Sequence, residues 1–446
     1  MVKRNKKSAR RLRNLVMVCT LCAVVLTVST YAWFIGMKTV NVSTFDIEIA
    51  TTEGLYLSMD GSSWSYHLDT KDATEYIGNT NTWAEDGLIP MSTVGDMDST
   101  SSRMKLFEKA SLTTTTGGYR LLSSRVQNYA TSPDDGKFYQ GEGYVAFDLF
   151  IKNLSGTEYY TTNEPLNEEA IYLTTNSAVT VAEDGGEKDT GIENSVRVAF
   201  AQIGRVKADT ESADNITKIT CSDVAEGENQ VQVTGICRNA QIWEPNDTDH
   251  VQNAINWYNT SCLERIATGT DDVTDPTSYV GMEKTTDNPT NCGLIKPGVA
   301  NKTYAVSRTL TIDDNVDIYD GLTLNKYGKN SVSYAQYDGE KDEETKASYK
   351  LVDFPYFTDT MKDLTGTARP QFMTLAPNSI TKVRVYIFIE GQDVDNYDFA
   401  SLGKKISVNF GFTKERFTEG DVGYKGPSTD ITPSKGDEIV TPDDEA

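Results

Sequence analysis

The residue types best suited to chemistry crowd into one stretch, Trp243-Glu244-Pro245-Asn246-Asp247-Thr248-Asp249-His250. Glu244, Asp247 and Asp249, with an amide and an imidazole beside them, form the oxygen-rich set that a hard cation such as calcium takes. The same residues also describe a strand that ends at Ile242-Trp243, is stopped by Pro245 and turns through Asn and Asp. We adopt that plainer description and carry the three acids forward as calcium candidates. In a second run, Asp313, Asn315 and Asp317 alternate as in the start of a calcium loop. The sixth position, where a helix-loop-helix site needs glycine, is Ile318, so only a structural calcium in a β-loop stays open. No other cofactor is expected.

A third acidic stretch, Glu390-Gly391-Gln392-Asp393 with Asp395, follows an apolar strand. Paired acids can hydrolyse glycosides at a fixed separation, but a hairpin connection is the simpler reading. His67 and His250 are the two histidines. There is no Gly-x-Ser-x-Gly elbow, no His-Glu-x-x-His helix, no phosphate loop and no dinucleotide fingerprint. Nothing supplies an activated nucleophile, so an enzyme is not expected.

The six cysteines divide in two. Cys19 and Cys22 lie in an apolar run, a poor place for thiol exchange. Cys221, Cys237, Cys262 and Cys292 contain no short chelating pair, which disfavours zinc, and we expect one or two disulfides among them. Three pairings are open.

The elements that must position these residues begin with an export segment. Seven basic residues, Lys3 to Arg13, precede the uncharged run Leu15 to Met37. Residues 1–32 read as a signal peptide, with Thr30-Tyr31-Ala32 offering small residues for cleavage between Ala32 and Trp33. Alternatively, residues 15–37 are long enough to anchor the chain as a membrane helix with the basic end inside. Either way the bulk of the chain is expected outside the cytoplasm, secreted or at the cell surface. The whole chain carries 42 basic and 65 acidic residues, for a net charge of −23. That surface suits a solvated extracellular protein and repels nucleic acid.

Strand signals come from both ends. Val40 and Val42 share one parity; Phe45, Ile47 and Ile49 share the other, which predicts a bulge near Ser43-Thr44 or two distinct strand segments. Val145, Phe147, Leu149 and Ile151 alternate with Asp148 and Lys152. Val196, Val198 and Phe200 alternate with Arg197 and Ala199, and Val383, Val385, Ile387 and Ile389 alternate with Lys382, Arg384 and Glu390. A short helix is expected around Ser102 to Ala110, and another over Val251 to Ile266.

The resulting fold class is mainly β: an antiparallel, jelly-roll-like β-sandwich with long insertions and a disordered acidic tail. Residues 33–203 and 306–419 form its two parts, 204–305 is a cysteine-containing insertion, and 420–446 is the tail.

The basic leader, Ser29-Thr30-Tyr31-Ala32-Trp33-Phe34 and the strand Thr44-Phe45-Asp46-Ile47-Glu48-Ile49 resemble the start of camelysin/TasA-like exported bacterial surface and biofilm-matrix proteins. Tyr144 to Asn153, an alternating strand running into Asn-Leu-Ser-Gly, resembles their core pattern. The resemblance implies a dedicated signal peptidase, a jelly-roll sandwich and assembly into extracellular fibres. It carries over no catalytic residue. The chain departs from the pattern in its length, its four later cysteines and its acidic tail.

The expected function is a structural surface or matrix protein. It would associate with itself or with other surface proteins, through Phe45, Ile47 and Ile49 donated to a neighbour's sheet. The alternative is a membrane-anchored ectodomain that binds a glycan or protein ligand through Trp64, Trp83, Trp243 and Trp257.

Overall fold

The computed structural model describes residues 40–49, 54–70, 87–93, 95–109, 113–115, 118–125, 143–156, 158–183, 190–228, 230–258, 295–300, 304–305, 308–311, 331–336, 352–353, 356–391, 393–396 and 404–417. The export segment, Trp83, Cys262, Cys292, the run 313–317 and the tail lie outside them.

The strands that build the site are β1 (Val40–Ile49), β2 (Leu55–Ser58), β3 (His67–Thr70), β4 (Pro90–Ser92), β5 (Val145–Asn153), β6 (Glu169–Leu173), β7 (Ala178–Val181) and β8 (Val196–Lys207). They continue with β9 (Gln241–Glu244), β10 (Phe357–Thr358), β11 (Met373–Leu375), β12 (Ser379–Glu390) and β13 (Lys404–Thr413). A six-stranded sheet has the order β11-β6-β13-β1-β3, with β7 also on β13. A 13-stranded sheet centres on β12, which pairs antiparallel with β5 on one edge and β8 on the other. Beyond β8 come β9 and β10.

The sheets are mixed, which corrects the antiparallel expectation. β1 runs parallel to β13, β4 parallel to β12, and β9 parallel to β10. β1 and β13 come from distant parts of the chain, so no tight turn obliges them to run antiparallel. The predicted bulge is present: the β1–β13 register shifts between Val42 and Thr44. That shift lets Val40, Val42, Phe45, Ile47 and Ile49 all enter the core.

The two sheets share that core. Phe45 of β1 stacks on Phe147 of β5, ring centres 4.7 Å apart, and Phe200 of β8 meets Phe410 and Phe412 of β13 edge-on. Val383, Val385, Ile387 and Ile389 line the same interior. Each such side chain contributes about 1.5–3 kcal/mol of burial.

The opposite face of the large sheet is covered as well, and every residue of β12 is buried. Tyr386 and Phe388 pack with Met91, Met104 and Leu106, and Ile380 and Val206 pack with Ile216, Ile219 and Val233. The segment around Ser102 is not the expected helix but two strands, Arg103–Met104 and Phe107–Lys109. It lies flat as a cover, and the Met104 amide donates to the Tyr386 hydroxyl. Charges facing this layer are paired within it: Asp148 takes Arg384 at 2.7 Å and Lys382 at 3.2 Å. Residues 204–258 supply part of the cover, and they also supply β9, whose Trp243 reaches the main core.

Candidate functional site

At one end of the large sheet, three separate stretches bring charged groups together. β8 is entered through the 3-10 turn Ile192–Ser195, which places Ser195 and then Arg197. β9 ends at Glu244. The turn after β12 supplies Asp393 and Asp395, and β12 itself ends at Glu390. β9 and β12 pair with opposite edges of β8, so its register converges all three on Arg197.

The Arg197 guanidinium is fully buried. It donates to Asp393 Oδ2 at 2.7 Å, to Glu244 Oε1, and to the carbonyls of Asn194 and Val196. Asp393 Oδ1 accepts from Ser195 Oγ at 3.2 Å and from the Asp395 amide at 2.8 Å. Glu390 Oε2 accepts from the Tyr356 hydroxyl at 3.1 Å. Burial disfavours the guanidinium charge, but Glu244 and Asp393 outweigh it and hold Arg197 above its ordinary range. Burial, helped by Asp393, Asp247 and Glu390, pushes the Glu244 carboxyl up to about 7 despite Arg197. One cation facing several buried acids cannot keep all of them ionised.

The second half of the cluster lies beside the first. Asp395 Oδ1 accepts from the Val251 amide at 3.0 Å, and Asp395 Oδ2 lies 2.6 Å from His250 Nδ1. His250 Nε2 lies 3.0 Å from the Val299 carbonyl. Gly191 presses against this pair: at φ +86°, a Cβ there would sit 2.5 Å from Asp395 Oδ1. Burial lowers the imidazole's affinity for a proton, but Asp395 and then Asp393 raise it further, so its pKa rises. Burial also raises that of Asp395.

His250, Asp393 and Asp395 each place one ligand atom within 4.8 Å of the others, a spacing a metal ion can use. A cation there would have to displace the Val251 amide and the imidazole's own contacts, close to a guanidinium that already neutralises Asp393. The arrangement therefore acts as a charge-neutralising latch. Ser195 donates to Asp393 rather than to His250, so it does not form a Ser-His pair.

The calcium candidates of the 243–250 stretch separate. Glu244 faces Arg197, Asp247 accepts from Thr360 Oγ1 at 3.1 Å, and Asp249 is exposed. Asp313, Asn315 and Asp317 fall outside the described residues. Cys221 and Cys237 form a disulfide with Cα atoms 5.2 Å apart. Phe45, Ile47 and Ile49 are buried within their own chain, β1 being paired to β13 on one side and β3 on the other. Among the described residues the tryptophans do not share a platform: Trp243 is buried and donates to Asp359 Oδ1, Trp64 lies 4.2 Å beneath Lys152 Nζ, and Trp257 is half exposed. His67 faces Asp46 at 3.4 Å on the surface. The helix expected over Val251 to Ile266 is present at 252–258, the rest lying outside the described residues. Among the described residues, no helix is long and apolar enough to cross a membrane.

Sequence reasoning singled out the stretches 243–250 and 390–395 separately but not their union. Arg197, which joins them, reads in sequence as the polar face of a strand. No protein-family model, curated protein or solved structure matches the chain.

Proposed function

We propose that this chain is an exported bacterial cell-surface or extracellular-matrix structural protein, built on a jelly-roll-like β-sandwich, that assembles into fibres by passing β1 from one subunit to the next. The observation carrying the reading is the position of β1. It follows the export-like segment, is bonded along both edges, and contributes five buried side chains to the core. Without it, a slot opens between β3 and β13, lined by Val408, Phe410 and Phe412. The same strand from another copy fills that slot with the same contacts, so exchange costs little in interface energy and propagates head to tail. The Cys221–Cys237 bond supports an oxidising compartment, and the acidic surface supports a solvated one.

Asp46 and Asn409 are register partners on β1 and β13. Single variants Asp46→Cys and Asn409→Cys, exported separately, mixed and allowed to assemble, are expected to give a disulfide between the two copies, located by peptide mass mapping. Electron microscopy of the same sample is expected to show fibres. Fibres without that cross-link would remove strand exchange, and monomers alone would remove the matrix reading. N-terminal sequencing of the exported protein tests cleavage between Ala32 and Trp33.

A further inference from the structure

A second junction between the sheets lies away from the latch. Asn153 is the last residue of β5 in the large sheet, and Lys414 follows directly on β13 in the small one. Glu169, the first residue of β6, stands between them. Its Oε2 accepts from Asn153 Nδ2 at 2.8 Å and from Lys414 Nζ at 3.1 Å, so one carboxylate oxygen holds both nitrogens. Lys414 Nζ also donates to Ser155 Oγ at 2.7 Å. The Asn153 side chain is fully buried; its Nδ2 donates a second bond to the Ala376 carbonyl, while its Oδ1 has no partner among the described residues.

Two features set this apart from an ordinary ion pair. A buried amide whose carbonyl oxygen goes unpartnered is a costly way to end a strand. An amine and a carboxamide nitrogen held on the same oxygen are also the nucleophile and the leaving group of an amide exchange, already juxtaposed by the fold.

We propose that Lys414 and Asn153 join in an intramolecular isopeptide bond, with Glu169 carrying the proton. Glu169 Oε2 takes a proton from the Lys414 ammonium. The free amine attacks Asn153 Cγ, a new Nζ–Cγ bond forms, and the Cγ–Nδ2 bond breaks. Glu169 returns the proton to the departing nitrogen, and the remaining amine proton follows it, so the nitrogen leaves as ammonium. The exchange consumes no oxidant, reductant or co-reactant. The product ties the end of the large sheet to the end of the small one. It goes beyond the assembly reading and stands whether or not β1 is exchanged.

The test is mass spectrometry of the folded full chain. The expected result is a branched tryptic peptide joining the Asn153 and Lys414 segments, with the loss of one ammonia, about 17 Da. A wild-type chain that is folded and yields only linear peptides overturns the proposal. Glu169→Gln keeps the shape but cannot carry the proton, and is expected to retain the full mass. A branched peptide in that variant would overturn the role of Glu169. Lys414→Arg separates the bond from a succinimide, which loses the same mass at Asn153 alone; an ammonia loss persisting in Lys414→Arg overturns the bond. The wild-type peptide map decides the question even if a variant fails to fold.

Discussion

His250 is held between two acceptors: Nδ1 lies 2.6 Å from Asp395 Oδ2, and Nε2 lies 3.0 Å from the Val299 carbonyl. A neutral imidazole carries one hydrogen and satisfies one of them. The imidazolium satisfies both, tying the 295–300 segment to the turn after β12. The groups facing the ring are Asp395, Asp393 and the Val299 carbonyl, with Arg197 beyond them on Asp393.

This contact makes stability depend on pH. The folded pKa of His250 lies above its ordinary 6.5, so its contribution is full below about 6.5 and is lost as pH rises through the folded value. Glu244 acts in the same sense: with its pKa raised from 4.5 to about 7, the folded state takes up a proton over that interval that the unfolded chain does not. Thermal unfolding followed by circular dichroism at constant ionic strength should show Tm falling from pH 6 to pH 9. His250→Gln should flatten that fall. A wild-type Tm that is level or rises over this interval contradicts the latch.

On the acid side the slope reverses. Burial alone would raise the Glu168 carboxyl, but Arg238 and Thr374 outweigh it and lower it. Its stabilisation is present above about 4.5 and lost as pH falls through the lowered value. A maximum in Tm near pH 5–6 is expected from the same scan.

Removing Arg197 leaves Glu244 and Asp393 buried without their cation. Arg197→Met should cost about 3–5 kcal/mol, measured by denaturant unfolding. Adding Glu244→Gln to that variant should restore part of the loss, because one uncompensated charge is removed. A cost below about 1 kcal/mol would show that the ion pair is not what holds this end of the sheet.

Gly191→Ala meets both a positive φ and the Asp395 carboxylate. The expected cost is about 1–3 kcal/mol, together with a weaker pH dependence of Tm, because Asp395 is pushed off His250. A destabilised variant that keeps the full wild-type pH slope would separate the glycine from the latch.

Phe45→Ala should cost about 3–5 kcal/mol, the usual price of emptying an aromatic core site. A double-mutant cycle with Phe147→Ala should return a coupling of about 0.5–1.5 kcal/mol for the stacked pair. Coupling near zero would show that the two sheets do not meet there.

Much of the strand pattern was legible because a β-strand repeats every two residues. Val383, Val385, Ile387 and Ile389 announce one buried face of β12 from their spacing alone, and the parity break at Ser43-Thr44 announces the bulge in β1. The opposite face was not legible. Lys382 and Arg384 look like solvent-facing charges, and only a distant partner reveals otherwise: Asp148 lies 236 positions from Arg384. The mixed direction of the strands was hidden for a related reason, since a strand's composition does not record which way its neighbour runs.

The sequence alone determined the class of structure, the alternating strands and the two acidic stretches, because each is a local property of residue type and spacing. It also contained the cysteines without stating that Cys221 meets Cys237. The tertiary structure decided what those residues became. Arg197 gathered the acids at 244 and 393 around one buried cation, and Asp395 raised the proton affinity of His250. A carboxylate's role depends on what lies within a few ångströms of it in a medium of low dielectric, and in this chain those neighbours are contributed by strands far apart in the sequence.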